Sequence, residues 1–531
     1  MRNNANLSLF KNGTIYVDAE RKLGNLLVEN GKVKGYDVDP SSHKGAEIID
    51  LQGGFAYPGF NDSHVHLVEI GAIAGCADLL GCRTSDQIVK QVAELDAKLP
   101  EGELLKGNGF YPDDYDAWSL DDLNKLDQVT KGRPVLLLDK LGHNCIVNSV
   151  SMEKCGITAE TPLPLGGKVV LQNGSPTGML RETAMLLAGN PLLALIGDDA
   201  VRAGAKKLFD LWASMGYTSI VDLMGAPFGR IFRPEICREM EKAGELPIRI
   251  NYRYTFYSLD EMEDCLKYVG NDTDMVRFTG LKLFVDGAYA GGEAWTTWKN
   301  LQGNTGLYCV YPDDTYGEIY NINRIVEKAN DLELSMHYHT QGDKAIGVVL
   351  DAIEKALEKK GSLTGTHTFI HLAFPTDDQI ERMKKLSPHV NTTVQPGFWP
   401  VEGESVRYYG ERAKRCYPIK KLVDSGIPTG MSTDFSVSPL ELTAPTKVMN
   451  IAMTGGGDPE NHVPATMKDL ITGFSQGSAA TTSIPDTGRL EPGYWADLVV
   501  YERDLYDLSP EELDSKNPKV LSTWVGGRRM Y

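Results

Sequence analysis

The chain has 531 residues, of which 42% are hydrophobic and 24% charged, a balance typical of globular rather than disordered proteins. At roughly 150 residues per domain this length allows three to four domains, although one barrel can use 250 or more residues. The formal net charge of −18 argues against a protein that tracks phosphate groups, because such proteins carry a basic face. We therefore expect no nucleic-acid partner.

The amino terminus, MRNNANLSLFKNG, has no apolar stretch of the kind found in secretory signals, and no apolar run reaches the length of a membrane span. The eight cysteines are scattered and form no CxxC pair, which favours free thiols over a disulfide framework or a thiolate zinc site. These features predict a cytoplasmic protein without a membrane partner.

Strand-like segments occur at both ends of the chain. They are Leu7–Ile15, Leu26–Gly35 and Ile48–Asp50 near the start, and Asp497–Tyr501 and Val520–Val525 near the end. Two β-rich ends that flank a long middle segment predict one composite β-sandwich, formed by residues 1–54 and 485–531.

The middle segment, residues 55–484, alternates short apolar strands with amphipathic helical stretches, which is the pattern of parallel βα units. The eight candidate strands are Phe55–Phe60, Tyr217–Leu223, Ile248–Tyr254, Leu281–Val285, Leu334–His339, Thr368–His371, Val390–Val394 and Pro428–Ser432. Eight such units predict an α/β fold built on a (β/α)8 TIM barrel. The long gap after the first strand has its own helix, strand and hairpin pattern, so residues 68–200 are predicted to form an α+β insertion.

Ionisable residues lie at or just after the carboxyl ends of these candidate strands. They are His64 and His66 after the first strand, Lys282 on the fourth, His339 and His371 at the ends of the fifth and sixth, and Asp434 after the eighth. Because barrel active sites form at this end, all six side chains can converge. Imidazole and carboxylate ligands suit zinc or a similar divalent ion, so we predict a site for one or two ions per chain.

Each of these features also has a simpler interpretation. An isolated His-x-His occurs by chance, Lys282 could extend from the barrel rim, and the triplet STD that ends at Asp434 could cap a helix. Their joint order along the strands favours the metal site.

The segments PGFNDSHVHL, GLKLFVDG and HTQGDKA, together with the STD triplet, resemble the amidohydrolase superfamily. The segments GHNCIVNS, PTGMLRE, GYTSIVDL and GRLEPGYWADLVV resemble its amidohydrolase-3 (YtcJ-like) branch, which includes N-substituted formamide deformylases. The resemblance extends from about residue 7 to the carboxyl terminus. It implies a sandwich and a metallo-barrel with an insertion after strand one, in agreement with the pattern.

The resemblance also implies roles for the metal ligands. In similar enzymes the lysine of strand four is carboxylated and bridges two divalent ions, which would make Lys282 the shared ligand. One ion would then be bound by His64, His66 and Asp434, and the other by His339 and His371. A mononuclear site with unmodified Lys282 remains open.

The mechanism implied by the resemblance is attack by a metal-activated hydroxide on a scissile carbonyl. Asp434 would be the catalytic residue, accepting the proton of water and returning it to the leaving nitrogen. His143 could steady the oxyanion, and Trp298 and Trp399 could line a substrate pocket. Ordinary loop packing is the alternative for these last three residues.

Two positions depart from the branch pattern. Ile370 precedes His371 where the branch usually has glutamate, and the segment after the DG pair at 286–287 reads AYAGGEAW. These departures weaken inference about the substrate and leave the metal residues intact.

The expected function is therefore metal-dependent hydrolysis of an amide or formamide-type C–N bond, other than a peptide bond, in a small molecule. An aminohydrolase that deaminates a heterocyclic amine is the first alternative, although HTQGD at 339–343 offers no glutamate for it. A non-catalytic regulatory relative is the second alternative, and a homodimer is also left open.

Overall fold

A computed structural model describes residues 7–531 except 68–75, 111–117, 141, 225–232, 399–405, 436, 455–464, 483, 485 and 516–517. Its central sheet has eight parallel strands that are hydrogen-bonded to one another in chain order. They are Phe60–Val65, Tyr217–Asp222, Arg249–Phe256, Val276–Phe284, Met336–Thr340, His367–His371, Val390–Val394 and Thr429–Met431, here called barrel strands one to eight. The predicted (β/α)8 barrel is confirmed.

The first barrel strand is not the predicted segment Phe55–Phe60. Phe55–Pro58 pairs instead with Leu498–Tyr501, outside the barrel, and Phe60–Val65 forms barrel strand one. All six residues of Phe60–Val65 are buried although four of them are polar. Hydrophobicity therefore could not reveal this strand, and His64 lies within it rather than after it.

Helices lie between consecutive barrel strands, and three more follow barrel strand eight. In chain order they are Asp198–Ser214, Pro234–Ala243, the 3-10 helix Leu259–Tyr268, Ile322–Asp331, Asp343–Lys360, Asp377–Lys385, Ile419–Asp424, Pro445–Thr454, Met467–Thr472 and Ser478–Thr482. The residues at the helix ends are typical capping residues. Thr376 caps Asp377–Lys385 through a reciprocal capping box with Gln379, and Asp343–Lys360 ends at Gly361, whose φ of 77° favours glycine.

Two further sheets contain the strands at the two ends of the chain: the first is built from amino-terminal strands alone, and the second combines strands from both ends. One contains Leu7–Lys11, Leu26–Glu29, Lys32–Tyr36 and Glu47–Asp50, and the other contains Thr14–Tyr16, Lys22–Leu23, Phe55–Pro58, Leu498–Tyr501, Val520–Val525 and Arg528–Arg529. Residues of both sheets share one hydrophobic core, in which Phe10 packs edge-on against Trp524. The predicted composite β-sandwich is confirmed, whereas its exact domain boundaries stay a prediction.

The chain segment between barrel strands one and two forms a separate mixed sheet. Its strands are Ala77–Asp78, Leu105–Phe110, Val135–Asp139, Asn144–Val147, Lys168–Gln172 and Ser175–Arg181, and its helices include Ser85–Asp96, Leu120–Thr130, Ser149–Cys155 and Leu186–Leu193. This is the α+β insertion.

Within the described residues, no single helix is both long and apolar enough to cross a membrane. Only the bent pair Glu182–Leu193 and Asp198–Ser214 meets the length and composition criteria when the two helices are taken together.

A buried ion pair joins the barrel to the sandwich. Arg249, the first residue of barrel strand three, donates to both carboxylate oxygens of Asp497 at 2.6 and 2.9 Å. The guanidinium also lies over the Trp495 ring at 4.3 Å, and Asp497 accepts a further bond from the amide of Gly526 at 2.7 Å. The pair is buried and fully hydrogen-bonded on its carboxylate side, so removing either charge leaves the other uncompensated.

We therefore expect Arg249→Met to lower the free energy of unfolding by about 3–5 kcal/mol, the usual cost of breaking a buried pair. Guanidinium chloride unfolding measures this effect. Arg324→Met, which removes an exposed pair with Asp314, is the matched control and should change the free energy of unfolding much less. Equal losses in the two variants would contradict the linking role of Arg249.

Candidate metal centre

A small cavity lies at the carboxyl ends of the barrel strands. All six residues predicted to bind metal contribute to its wall, together with His143: they are His64, His66, Lys282, His339, His371 and Asp434. All seven side chains are buried. The barrel therefore brings together residues that are as much as 370 positions apart in the sequence, since 434 − 64 = 370.

His64, His66 and Asp434 form the tightest group in the cavity. The Nε2 atoms of both imidazoles lie 3.3 Å from Oδ1 of Asp434. One potential ligand atom from each of the three residues lies within 4.8 Å of the others, which is the spacing expected around a single ion. The donor set of two imidazoles and one carboxylate fits zinc or a similar divalent cation.

The charge states of this group also suit a cation. Burial lowers the pKa of His64 to about 4, so its imidazole is neutral near pH 7. Burial alone would raise the pKa of Asp434, but His64, His66 and His371 outweigh it and hold that pKa well below its usual value. Neutral imidazoles beside a carboxylate are the protonation states in which these residues bind metal.

His339 and His371 are neighbours in the same cavity, with ring centroids 4.7 Å apart and an edge-on arrangement. Nδ1 of His339 lies 3.1 Å from Oδ1 of Asp286, and Nδ1 of His371 lies 3.0 Å from Oε1 of Gln395. An Nδ1–H that donates to each of these oxygens would leave Nε2 as the nitrogen that can bind an ion. Burial also lowers the pKa of both imidazoles well below its usual value.

Lys282 is buried on barrel strand four, with Nζ 4.7 Å from the centroid of the Phe284 ring. Burial lowers the pKa of its ammonium group to about 7, although Asp434 and Asp286 act in the opposite direction. A substantial neutral fraction is therefore present near neutral pH, and the neutral amine is the nucleophilic form.

Three residues around the cavity have left-handed backbone conformations. The φ angles are 74° for His371, 49° for Asp434 and 50° for Glu182. Each such conformation costs about 1–3 kcal/mol in a residue other than glycine, and it persists only where surrounding contacts hold it. The contacts around these three residues therefore hold their side chains in place although the backbone conformation is unfavourable.

The residues that orient the predicted ligands were not identified from the sequence. Asp286 accepts backbone N–H bonds from Gln341, Gly342 and Trp295 in addition to the bond from His339. Asp62 accepts from Thr433 N and Oγ1 at 2.9 and 2.6 Å and thereby fixes the segment that leads to Asp434. The available signals were position alone: Asp286 follows barrel strand four, and Asp62 precedes His64 by two residues.

The three residues predicted to contact substrate lie in different surroundings. His143 lines the cavity, and its ring centroid is 5.5 Å from that of His339. Trp298 packs edge-on against Phe374, has the Arg412 guanidinium 4.0 Å above its ring, and is not among the described residues that line the cavity. Trp399 lies outside the described residues. Substrate contact by each of them stays a prediction.

The fold and the cavity together define a TIM-barrel protein with histidine, aspartate and lysine side chains gathered at the carboxyl ends of its strands. The model of the amidohydrolase family matches residues 47–531, and the chain belongs to that family. This confirms the family suggested by the sequence motifs.

Relatives of known name support the same assignment. YtcJ of Bacillus subtilis is 27% identical over 552 residues and 99% of each chain is covered. The N-substituted formamide deformylase of Arthrobacter pascens is 24% identical over 544 residues, covering 97% of this chain and 96% of that one. The crystal structure of an uncharacterized metal-dependent hydrolase from Pyrococcus horikoshii has a TM-score of 0.74 at 24% identity, covering 95% of this chain and 99% of that one, and it shows the shared fold.

We expect Asp286→Asn to weaken zinc binding by about 10–100-fold, the usual effect of removing a residue that orients a metal-binding histidine. Competition with a chromophoric chelator measures the affinity. Asp210→Asn, on the exposed surface of Asp198–Ser214, is the matched control and should leave the affinity unchanged. An Asp286→Asn protein that binds zinc as tightly as this control would contradict the orienting role.

Proposed function

We propose that the protein is a metal-dependent hydrolase that cleaves an amide or formamide-type C–N bond, other than a peptide bond, in a small molecule. The observation that carries this proposal is the convergence of four imidazoles, Lys282 and Asp434 on one buried cavity. The 24% identity with a relative named N-substituted formamide deformylase, over nearly the whole chain, supports the choice of bond.

We assign His64, His66 and Asp434 to one zinc ion and His339 and His371 to a second. The short distances within the first group and the Nδ1 partners in the second support this division. Lys282 would be shared as its N-carboxylated form. Its depressed pKa supports this modification, because a neutral amine can attack carbon dioxide and the resulting anion is stabilised by adjacent cations.

Divalent zinc at this site would lower the pKa of water and polarise a substrate carbonyl. The protein itself supplies the proton transfer. Asp434 is an ionised carboxylate inside the cavity, so it can take a proton from the attacking water and pass it to the leaving nitrogen. Burial of the surrounding side chains limits access by other water molecules, which strengthens the electrostatic interactions within the site.

A panel of N-formyl, N-acyl and cyclic amides tests the proposal with zinc-loaded protein. We expect at least one class to be hydrolysed, and Asp434→Asn to lower kcat by about 10²–10⁴-fold because it removes the general acid–base group. Asp424→Asn, at the exposed end of Ile419–Asp424, should keep full activity as the matched control. Deamination of ring amines in place of amide hydrolysis, or full activity in Asp434→Asn, would contradict the proposal.

The shared role of Lys282 makes a separate prediction about metal content. Lys282→Met keeps the length of the side chain but cannot be carboxylated, so we expect the zinc content to fall from two ions per chain to one. Inductively coupled plasma mass spectrometry after dialysis measures this ratio, with Lys206→Met on an exposed helix surface as the control. An unchanged zinc content in Lys282→Met would contradict the bridging assignment.

A further inference from the structure

His143 is held in the cavity wall by its own backbone. It follows the strand Val135–Asp139 of the insertion, and its amide donates to Oδ1 of Asp139 at 2.9 Å. The same carboxylate accepts from the amide and the side chain of Asn144 at 3.0 and 2.9 Å. The backbone position of His143 is therefore fixed around one fully buried carboxylate.

Glu182 contacts His143 twice. Its backbone amide donates to the carbonyl of His143 at 2.6 Å, and its side-chain Oε2 lies 2.7 Å from Nδ1 of the imidazole. Glu182 has the left-handed φ of 50° described above, and its side chain is buried. Because the strained backbone of Glu182 is hydrogen-bonded to His143, we infer that the direction of the Glu182 side chain serves a function.

A second carboxyl group meets Glu182 from the barrel. Glu293, in the loop that follows barrel strand four, brings its carboxyl group to that of Glu182, whose buried Oε1 has no other hydrogen-bond partner among the described residues. Gly287 provides the space for Glu293, since a Cβ at position 287 would lie only 2.8 Å from Cβ of Glu293. Burial raises the pKa of Glu182 to about 7, and burial together with Glu182 raises that of Glu293 well above its usual value.

Two carboxyl groups in hydrogen-bond contact share a proton, because two adjacent carboxylates repel each other. That proton lies between Glu182 and Glu293 whichever of them carries it. The Glu182 oxygen that faces His143 is then an acceptor, and the imidazole must carry its proton on Nδ1. A neutral imidazole protonated on Nδ1 has its lone pair on Nε2.

We propose that Glu182, supported by Glu293, is a positioning residue that holds His143 as the Nδ1–H tautomer, so that Nε2 accepts a hydrogen bond from an N–H group of the substrate. This inference rests on the proposed function and narrows its substrate class to amides whose nitrogen bears a hydrogen. It also replaces the expectation that His143 donates to an oxyanion, because Nε2 of this tautomer has no proton to donate.

The tautomer can be measured without turnover. Protein labelled with [¹⁵N]histidine and loaded with zinc is studied by long-range ¹H–¹⁵N correlation NMR, and the His143 signals are assigned by their loss in His143→Gln. We expect the Nδ1–H pattern in the wild type. A pattern of Nε2–H, or of a doubly protonated ring, would overturn the inference.

Glu182→Gln tests the positioning role, because an amide can either donate to Nδ1 or accept from it. We expect the His143 signals to move towards a mixture of tautomers in this variant, whereas Glu358→Gln on an exposed helix surface should leave them unchanged. His143 signals identical to the wild type in Glu182→Gln would show that Glu182 does not select the tautomer. Circular dichroism of both variants separates this result from unfolding.

The matched pair N-butylformamide and N-butyl-N-methylformamide tests recognition of the N–H group. We expect the wild type to favour the first by about tenfold or more in kcat/KM, the order of one hydrogen bond, and His143→Phe to lose this preference. Equal cleavage of the two compounds by the wild type would overturn the inference. If neither is hydrolysed and the amide panel also fails, the proposed function is wrong, and the NMR pattern alone then decides the role of Glu182.

Discussion

The structure depends on one buried carboxylate, that of Asp434, in the cavity at the carboxyl ends of the barrel strands. Asp434 lies inside the barrel beside His64, His66 and His371, and burial lowers the pKa of His64 and His371, which favours their neutral forms. An ionised carboxylate removed from water is costly unless it is paired or coordinates a metal. A divalent cation at this position would compensate the charge, and the Nε2 atoms of His64 and His66 lie close enough to Asp434 to bind the same ion.

The surrounding fold maintains that arrangement from several directions. Asp62 fixes the segment before Asp434, while Asp286 and Gln395 set the orientation of His339 and His371. Each of these partners belongs to a barrel strand or follows one directly, so the orientation of the ligands is tied to the most buried part of the molecule. The buried Arg249–Asp497 pair in turn fixes the sandwich against the amino-terminal end of barrel strand three.

The barrel and the ligand set could be predicted because both leave periodic signals in the sequence. Alternating strands and helices indicated the barrel, and His64, His339 and Asp434 lay at or just after the carboxyl ends of the candidate strands. Barrel strand one was misplaced because four of the six residues of Phe60–Val65 are polar and yet buried, which reverses the usual relation between polarity and exposure.

The pairing of Glu182 with His143 and Glu293 could not be predicted for a different reason. His143 and Glu182 lie at the ends of two antiparallel strands of the insertion that pair Asn144 with Arg181, whereas Glu293 belongs to the loop after barrel strand four. The contact between Glu182 and Glu293 therefore depends on how the insertion packs against the barrel, which no local pattern encodes. A carboxyl–carboxyl contact is also unfavourable unless a proton is shared, so charge patterning alone would place these two glutamates apart. The motif PTGMLRE contains Glu182, but it carried no information about the role of this residue or about its partner.

Anomalous X-ray diffraction at the zinc absorption edge, from crystals of the zinc-loaded protein, tests the central claim most directly. The account predicts an anomalous peak inside the cavity, bounded by His64, His66 and Asp434. A protein that crystallises with zinc and shows no anomalous peak among these three side chains would contradict it.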